Sequence, residues 1–293
     1  MRIRTTPEIR ARVRETWRRN PLAGSTQGRV GLVLAAAVAL FALLGPLLAD
    51  QPPDAIHLGA KLTGPSPEHW LGTDQFGRDQ LARLADATRR SVLAALTVLA
   101  GSCTVSLVVG VTAGLARGVV DAVLMRVVDI VLAIPSLVLA LAVVGLLGPG
   151  FGNLLLALVV SSWAANARLV RAFTLGVRDR PYIAAARLAG AGPLRVATGH
   201  ILPAVVPQLV TVATLQLGGT VVALAGLSFL GLGAQPPAAE LGAMLGDARA
   251  FAATAPWLLA APATVVLAVT AAANLIGDAL RDAGHDAAAG GSR

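Results

Sequence analysis

Six apolar blocks restrict this chain to a bundle of membrane-crossing helices. They run over about 30–49, 92–116, 127–147, 152–167, 207–232 and 257–277. A hydrocarbon core of roughly 30 Å takes about 20 helical residues, a length that five of the blocks meet. The fourth, 152–167, is short, carries Ser161, Ser162 and Asn166, and stops at Arg168. A re-entrant or surface helix is its alternative reading, and would invert the orientation of everything downstream. Of 293 residues, 55% are hydrophobic and 14% charged, and mean hydropathy is +0.71. That composition belongs to an integral membrane protein, and the expected fold class is all-α with six transmembrane helices.

Charge distribution decides for six crossings. With both termini on the inner face, Lys and Arg divide 18 inside to 6 outside, the bias that keeps basic residues cytoplasmic. The pI of about 11.3 is therefore a topology signal. Nucleic acid is not an expected partner, because the basic residues sit in short loops with almost no interleaved aromatics. The first block follows an arginine-rich stretch, is longer than a signal-peptide core and lacks a convincing cleavage site, which reads as an uncleaved anchor. The expected organisation is a basic cytoplasmic tail (1–29), a first helix with an outer segment (30–91), a five-helix core (92–277) containing a cytoplasmic loop (168–206), and a cytoplasmic tail (278–293). Arginines from Arg2 to Arg19 in the first tail suit anionic lipid headgroups.

Catalytic readings fail one after another. His57, His69, His200 and His285 fall in loops or tails and form no HExxH pair, which removes most zinc chemistry and leaves no metal site expected. Cys103, the single cysteine, reads as a packing residue. Ser228 has no histidine base at membrane depth. No GxxxxGK[ST] loop occurs, so ATP hydrolysis would have to come from a partner. Intramembrane carboxylates, the usual mark of proton-coupled carriers, reduce to Asp129, for which Arg126 one turn earlier is the expected ion-pair partner.

Two polar features remain. Gln208, Thr211, Thr214, Gln216 and Thr220 recur at helical spacing in the fifth block, a polar face that lines a pathway or bonds to neighbouring helices. The loop 178–203, RDRPYIAAARLAGAGPLRVATGHILP, is longer than a helix connection needs. Asp179 and Pro181 are helix-start residues, Ile183 to Ala189 forms a helix, and Gly190 or Gly192 ends it.

The stretch from Tyr182 to Pro203 resembles the cytoplasmic EAA loop of ABC-importer permeases, matching at Ala185, Ala186, Gly190, Ile201, Leu202 and Pro203. LGTDQFGRDQLARL (71–84), LSFLGLGAQPP (227–237) with GAML (242–245), and NLIGDALRD (274–282) resemble, in order, the C-type permease subunit of dipeptide, oligopeptide and nickel importers. The resemblance covers nearly everything from Arg29 to Asp282. It implies a type I importer permease that is not itself an enzyme and carries no cofactor. Its partners would be a homologous B-type permease, ATPase subunits holding ATP and Mg, and an extracytoplasmic solute-binding protein. It also implies a coupling helix, with Tyr182, Ala184, Ala185, Ala186, Leu188, Gly190 and Leu194 meeting the ATPase.

Departures accompany the match. Ala184 stands where the motif has Glu, so coupling would rest on shape and apolar contact. Ala82, Ala87 and Leu241 replace the usual serine, glycine and tryptophan. In the outer segment, Asp74, Arg78 and Asp79 either meet partners or form a structural clasp, with Gly72 and Gly77 in tight turns. Ser228, Phe229 and Gln235 are further expected outer contacts. The expected function is peptide import, with nickel import as the alternative and a self-sufficient channel or carrier as the rival class.

Overall fold

The computed structural model describes residues 24–48 and 51–290, with side chains to Asp282. The arginines from Arg2 to Arg19 and the side chain of His285 lie outside the described residues. The elements are α1 (Thr26–Leu48), α2 (Gln80–Ala116), α3 (Gly118–Leu132), α4 (Ser136–Leu147), α5 (Phe151–Arg178), α6 (Pro181–Leu188), α7 (Pro193–Val196), α8 (Leu202–Phe229), α9 (Leu241–Ala248) and α10 (Trp257–Gly290). A π-helical turn, Ala197–Ile201, joins α7 to α8.

α2 and α5 form the spine, and they run parallel. A Cβ at Gly101 would touch Val159 at 3.0 Å, one at Gly110 would lie 2.6 Å from the Ala167 carbonyl oxygen, and one at Gly114 would lie 2.5 Å from Thr174. Rising residue numbers on both helices define the shared direction. Ser106 Oγ adds a bond to the Trp163 carbonyl at 2.8 Å. Small residues permit this approach where lipid supplies no hydrophobic drive between helices. α1 packs on α10 and α2, and α8 packs on α10, α9 and α2.

Because α2 and α5 are parallel, the chain between them must return across the bundle. It does so through α3 and α4, bent by 88° at the break between Leu132 and Ser136. Among the described residues five helices are long and apolar enough to cross a membrane, and the bent pair taken as one broken span makes six. The start of α1 meets the end of α10 near Ile276, at the same end as the loop following α5. This basic end holds residues near 24–30, 116–118, 178–202 and 276–290. The opposite end, called the clasp end, holds the segment 51–79 and the connection from α8 to α10.

Several expected boundaries are corrected. α2 begins at Gln80 rather than near 92, capped by the Asp79 carboxylate, which accepts from Ala82 N at 2.9 Å. At 1.5 Å per residue it is about 55 Å long, well beyond the bilayer core. The block 127–147 is two helices, since Pro135 has no amide hydrogen to continue the ladder. The short fourth block is the first part of a 28-residue helix that continues to Arg178. Arg168 ended it in the sequence reading because a charge ordinarily closes a span. Here Arg168 pairs with Asp129 at 2.6 Å, and Arg171 holds Asp121 through two bonds of 2.5 and 2.6 Å. Asp129 is therefore bound by Arg168 across α3 and α5, not by Arg126 on its own helix.

The glycine contacts on the spine generate a prediction. Gly110→Val should overpack the α2–α5 contact at a cost of about 1–3 kcal/mol. The purified protein in detergent should then melt at a lower temperature than the wild type, while Gly176→Ala, at an open position, should not.

Candidate functional site

Three regions carry the polar and exposed chemistry of the bundle. The first is a groove of about 530 Å³ between the α3–α4 break, α5 and α8. Ser136, Ser161, Ser162, Gln216 and Thr220 supply its polar lining. Val98, Leu137, Ala140, Leu158 and Ala223 supply apolar walls.

The polar face expected on α8 divides here. Gln216 and Thr220 line the groove, whereas Gln208, Thr211 and Thr214 do not. Gln208 donates to the Ala204 carbonyl at 3.0 Å, and Thr211 and Thr214 donate to carbonyls one turn back at 3.1 and 2.9 Å. Gln216 instead reaches across to α5. Its amide and that of fully buried Asn166 exchange two bonds of 2.9 Å each.

The second region is the loop at the basic end. Pro181 starts α6, and Gly190, at φ +85°, ends it in the left-handed conformation, with its N–H bonded to the Arg187 carbonyl at 3.0 Å. Ile183 is fully buried and packs with Val170, Val177, Val196, Ile201 and Val205. The opposite face is open, with Leu188 90% and Leu194 76% exposed. Tyr182, Ala184 and Ala185 are exposed and Ala186 is half-buried. Arg178 donates to the Gly114 carbonyl, and Arg117 pairs with Asp179 at 2.9 Å. The base of the loop is thereby fastened to the end of α2.

The third region is the clasp end. The Asp74 carboxylate accepts from Phe76 N at 2.8 Å, Arg78 N at 2.9 Å and Arg78 Nε at 2.6 Å, and Arg83 Nε lies 3.5 Å away. Asp79, besides capping α2, meets His69 Nδ1 at 2.9 Å. Asp74, Arg78, Asp79 and Arg83 are all buried. A Cβ on Gly77, at φ +73°, would fall 1.8 Å from the His57 carbonyl oxygen, so only glycine fits this turn.

Glu240 is the residue that sequence reasoning missed. Fully buried, it accepts from Ser91 Oγ at 2.8 Å and from Ala243 N at 3.0 Å, while Leu241 N donates to Ser91 Oγ at 3.2 Å. It caps α9 and locks it to α2. An acidic residue before LGAM was a legible helix-start signal, but its partner lies 149 positions away. Ser228, Phe229 and Gln235 share a separate groove with Asp247 and Arg249. Burial pushes the Asp247 carboxyl above its ordinary range, against the pull of Arg83 and Arg78.

Residues 106–284 match the family described as the binding-protein-dependent transport system inner membrane component. The chain belongs to this family. It is 42% identical over 254 residues to the nickel transport system permease protein NikC of Escherichia coli (strain K12), which covers 87% of this chain and 92% of that protein. It is 39% identical over 260 residues to the dipeptide transport system permease protein DppC of Haemophilus influenzae, covering 87% and 88%. It is 38% identical over 261 residues to the probable D,D-dipeptide transport system permease protein DdpC of Escherichia coli (strain K12), covering 89% and 88%.

The molecule is thus an importer permease of the inner membrane, and its three regions sit on one scaffold: a groove at membrane depth, an exposed helix at the basic end and a clasp at the other. The clasp can be tested alone. Glu240→Ala should leave the Ser91 hydroxyl and the Ala243 amide without their acceptor, at about 1–3 kcal/mol. Thermal unfolding of the purified permease should fall for Glu240→Ala and much less for Asp86→Ala, whose carboxylate meets only exposed Arg90.

Proposed function

We propose that this permease forms half of the translocation pathway of an ATP-driven importer of di- or oligopeptides. The other half is a homologous permease, energy comes from ATPase subunits holding ATP and Mg, and a solute-binding protein delivers the solute at the clasp end. The chain itself is not an enzyme. The observation that carries the peptide reading is the groove lining, hydroxyls and an amide beside apolar walls without a charged side chain. Such a surface suits a chain of amides and varied side chains. Divalent nickel favours imidazole, thiolate or carboxylate donors, which that lining lacks. Relatives named for dipeptide transport support the same reading.

Nickel import is the second reading, favoured by the 42% identity to NikC. Uptake of a labelled dipeptide and of radioactive nickel, each compared between a strain carrying the gene and its deletion, separates the two. Peptide uptake is expected to depend on the gene. Dependence of nickel uptake alone would overturn the peptide reading. A self-sufficient channel or carrier is disfavoured by family membership and by the exposed helix at the basic end.

α6 is the coupling helix in this reading, placing the basic end and both described chain ends in the cytoplasm. Leu188 and Leu194 project where an ATPase groove would receive them, while Ile183 anchors the helix to the α5–α8 packing. Because Arg178 and Arg117 fasten the loop to α2, displacement of α6 passes to the spine as rigid-body motion. Gly190→Val meets no side chain, only the left-handed backbone, which costs about 1–2 kcal/mol. Its expected effect is normal abundance in the membrane with reduced ATP-driven uptake, read by immunoblot and transport assay on the same vesicles.

A further inference from the structure

Resting on the peptide reading, we infer that the groove between the α3–α4 break, α5 and α8 is a solute site that accepts hydrogen bonds from peptide N–H groups, with Ser161, Ser162 and Thr220 as acceptors and Gln216 held in place by Asn166. The argument begins with where the hydroxyl protons go. Ser161 and Ser162 donate to the Leu158 carbonyl at 3.1 and 2.7 Å. Thr220 donates to the Gln216 carbonyl at 3.0 Å. With these protons committed to the helix backbone, the three side chains offer the groove only oxygen lone pairs.

Gln216 is half committed. Its exchange with Asn166 uses one N–H and one lone pair, leaving one of each. Pro135, at the break, has no amide hydrogen to contribute. On the α5 and α8 side acceptors therefore outnumber donors, which favours ligand N–H groups there, while the Ser136 hydroxyl and the first amides of α4 can donate from the break. Facing that side, Val98, Leu158 and Ala223 supply contact for peptide side chains without selecting among them. The absence of charge from the lining fits transit, since a passing solute must bind weakly enough to leave.

A lipid chain is a poorer occupant. It would leave the remaining amide groups of Gln216 facing hydrocarbon unpaired, a costly arrangement. Nor is non-helical backbone at membrane depth expected except beside buried protein or a water-filled cavity, and Ile134 and Pro135 at the break line this groove. Asn166 acts as a positioning residue. Fully buried beneath Gln216, it fixes the direction of the one side chain in the lining that can also donate through nitrogen.

The test uses the complete importer reconstituted in vesicles with its unmodified binding protein, at saturating solute. The triple variant Ser161→Ala, Ser162→Ala, Thr220→Val should lower peptide uptake per ATP hydrolysed by about tenfold, the loss expected of a few neutral hydrogen bonds. Uptake of a tripeptide N-methylated at both backbone amides should fall far less than that of its unmethylated parent, and Thr220→Ser in place of Thr220→Val should restore part of the rate. Equal uptake by variant and wild type would overturn the inference while leaving the importer reading intact. So would an equal loss with both peptides, or failure of the variant to assemble with its partner permease, which would mark the groove as an inter-subunit contact. A wild-type complex that transports neither peptide would instead overturn the function on which the inference rests.

Discussion

The close parallel contact of α2 and α5 is the constraint on which the remainder of the bundle depends. In water, burial of apolar surface would hold two such helices together, but in a bilayer the lipid is as apolar as the side chains. What remains is dispersion at short range, and that requires backbones to approach. Gly101, Gly110 and Gly114 of α2 each sit against a residue of α5, and Ser106 bonds across to the same helix. Once these helices are parallel, the chain between them has to cross back, and the broken α3–α4 pair is the way it does so.

That return crossing is also what opens the groove. A straight helix packed on α5 would close the space beside Ser161 and Ser162. The 88° bend leaves it open and brings the unwound turn to its edge. The bend is held in place from the basic end, where Asp121 and Asp129 on α3 bind Arg171 and Arg168 on α5. The ion pairs therefore allow charged residues within a long helix and also fix the orientation of the half-helix bordering the groove. At the same end, the Arg117–Asp179 and Arg178–Gly114 contacts connect α6 to the ends of α2 and α5. A path of packed elements thus runs from the exposed helix to the groove.

The clasp end follows a different logic. Its segment 51–79 is organised by buried charge, with Asp74 receiving bonds from backbone amides and arginine, and Asp79 and Glu240 capping helices. Each carboxylate has its donors, which is the condition for burying such groups without a large penalty. The result is a rigid rim around one mouth of the bundle. Asp74, Arg78 and Asp79 are turned into that rim, while Ser228, Phe229 and Gln235 gather at a separate groove beside it.

The sequence by itself determined the all-helical membrane class, the short helix between Pro181 and Gly190, and the family, because hydropathy, proline and glycine act locally and the matching motifs are contiguous. It was silent or misleading wherever a partner lies far along the chain. Arg168 looked like the end of a span because its neutralising Asp129 sits 39 positions away, and Arg126 looked like that partner because only neighbours are visible in a sequence. The polar face on α8 looked uniform, yet Gln216 reaches Asn166 while Thr211 and Thr214 bond their own helix, a difference set by the helix opposite. Glu240 and Ser91 belong to different blocks of sequence and meet only when α9 folds against α2. The groove likewise has no sequence signature, since it is the space left by a bend between three helices. Pairing of charges and the shape of empty space are properties of the packed bundle, so the tertiary structure alone decided them.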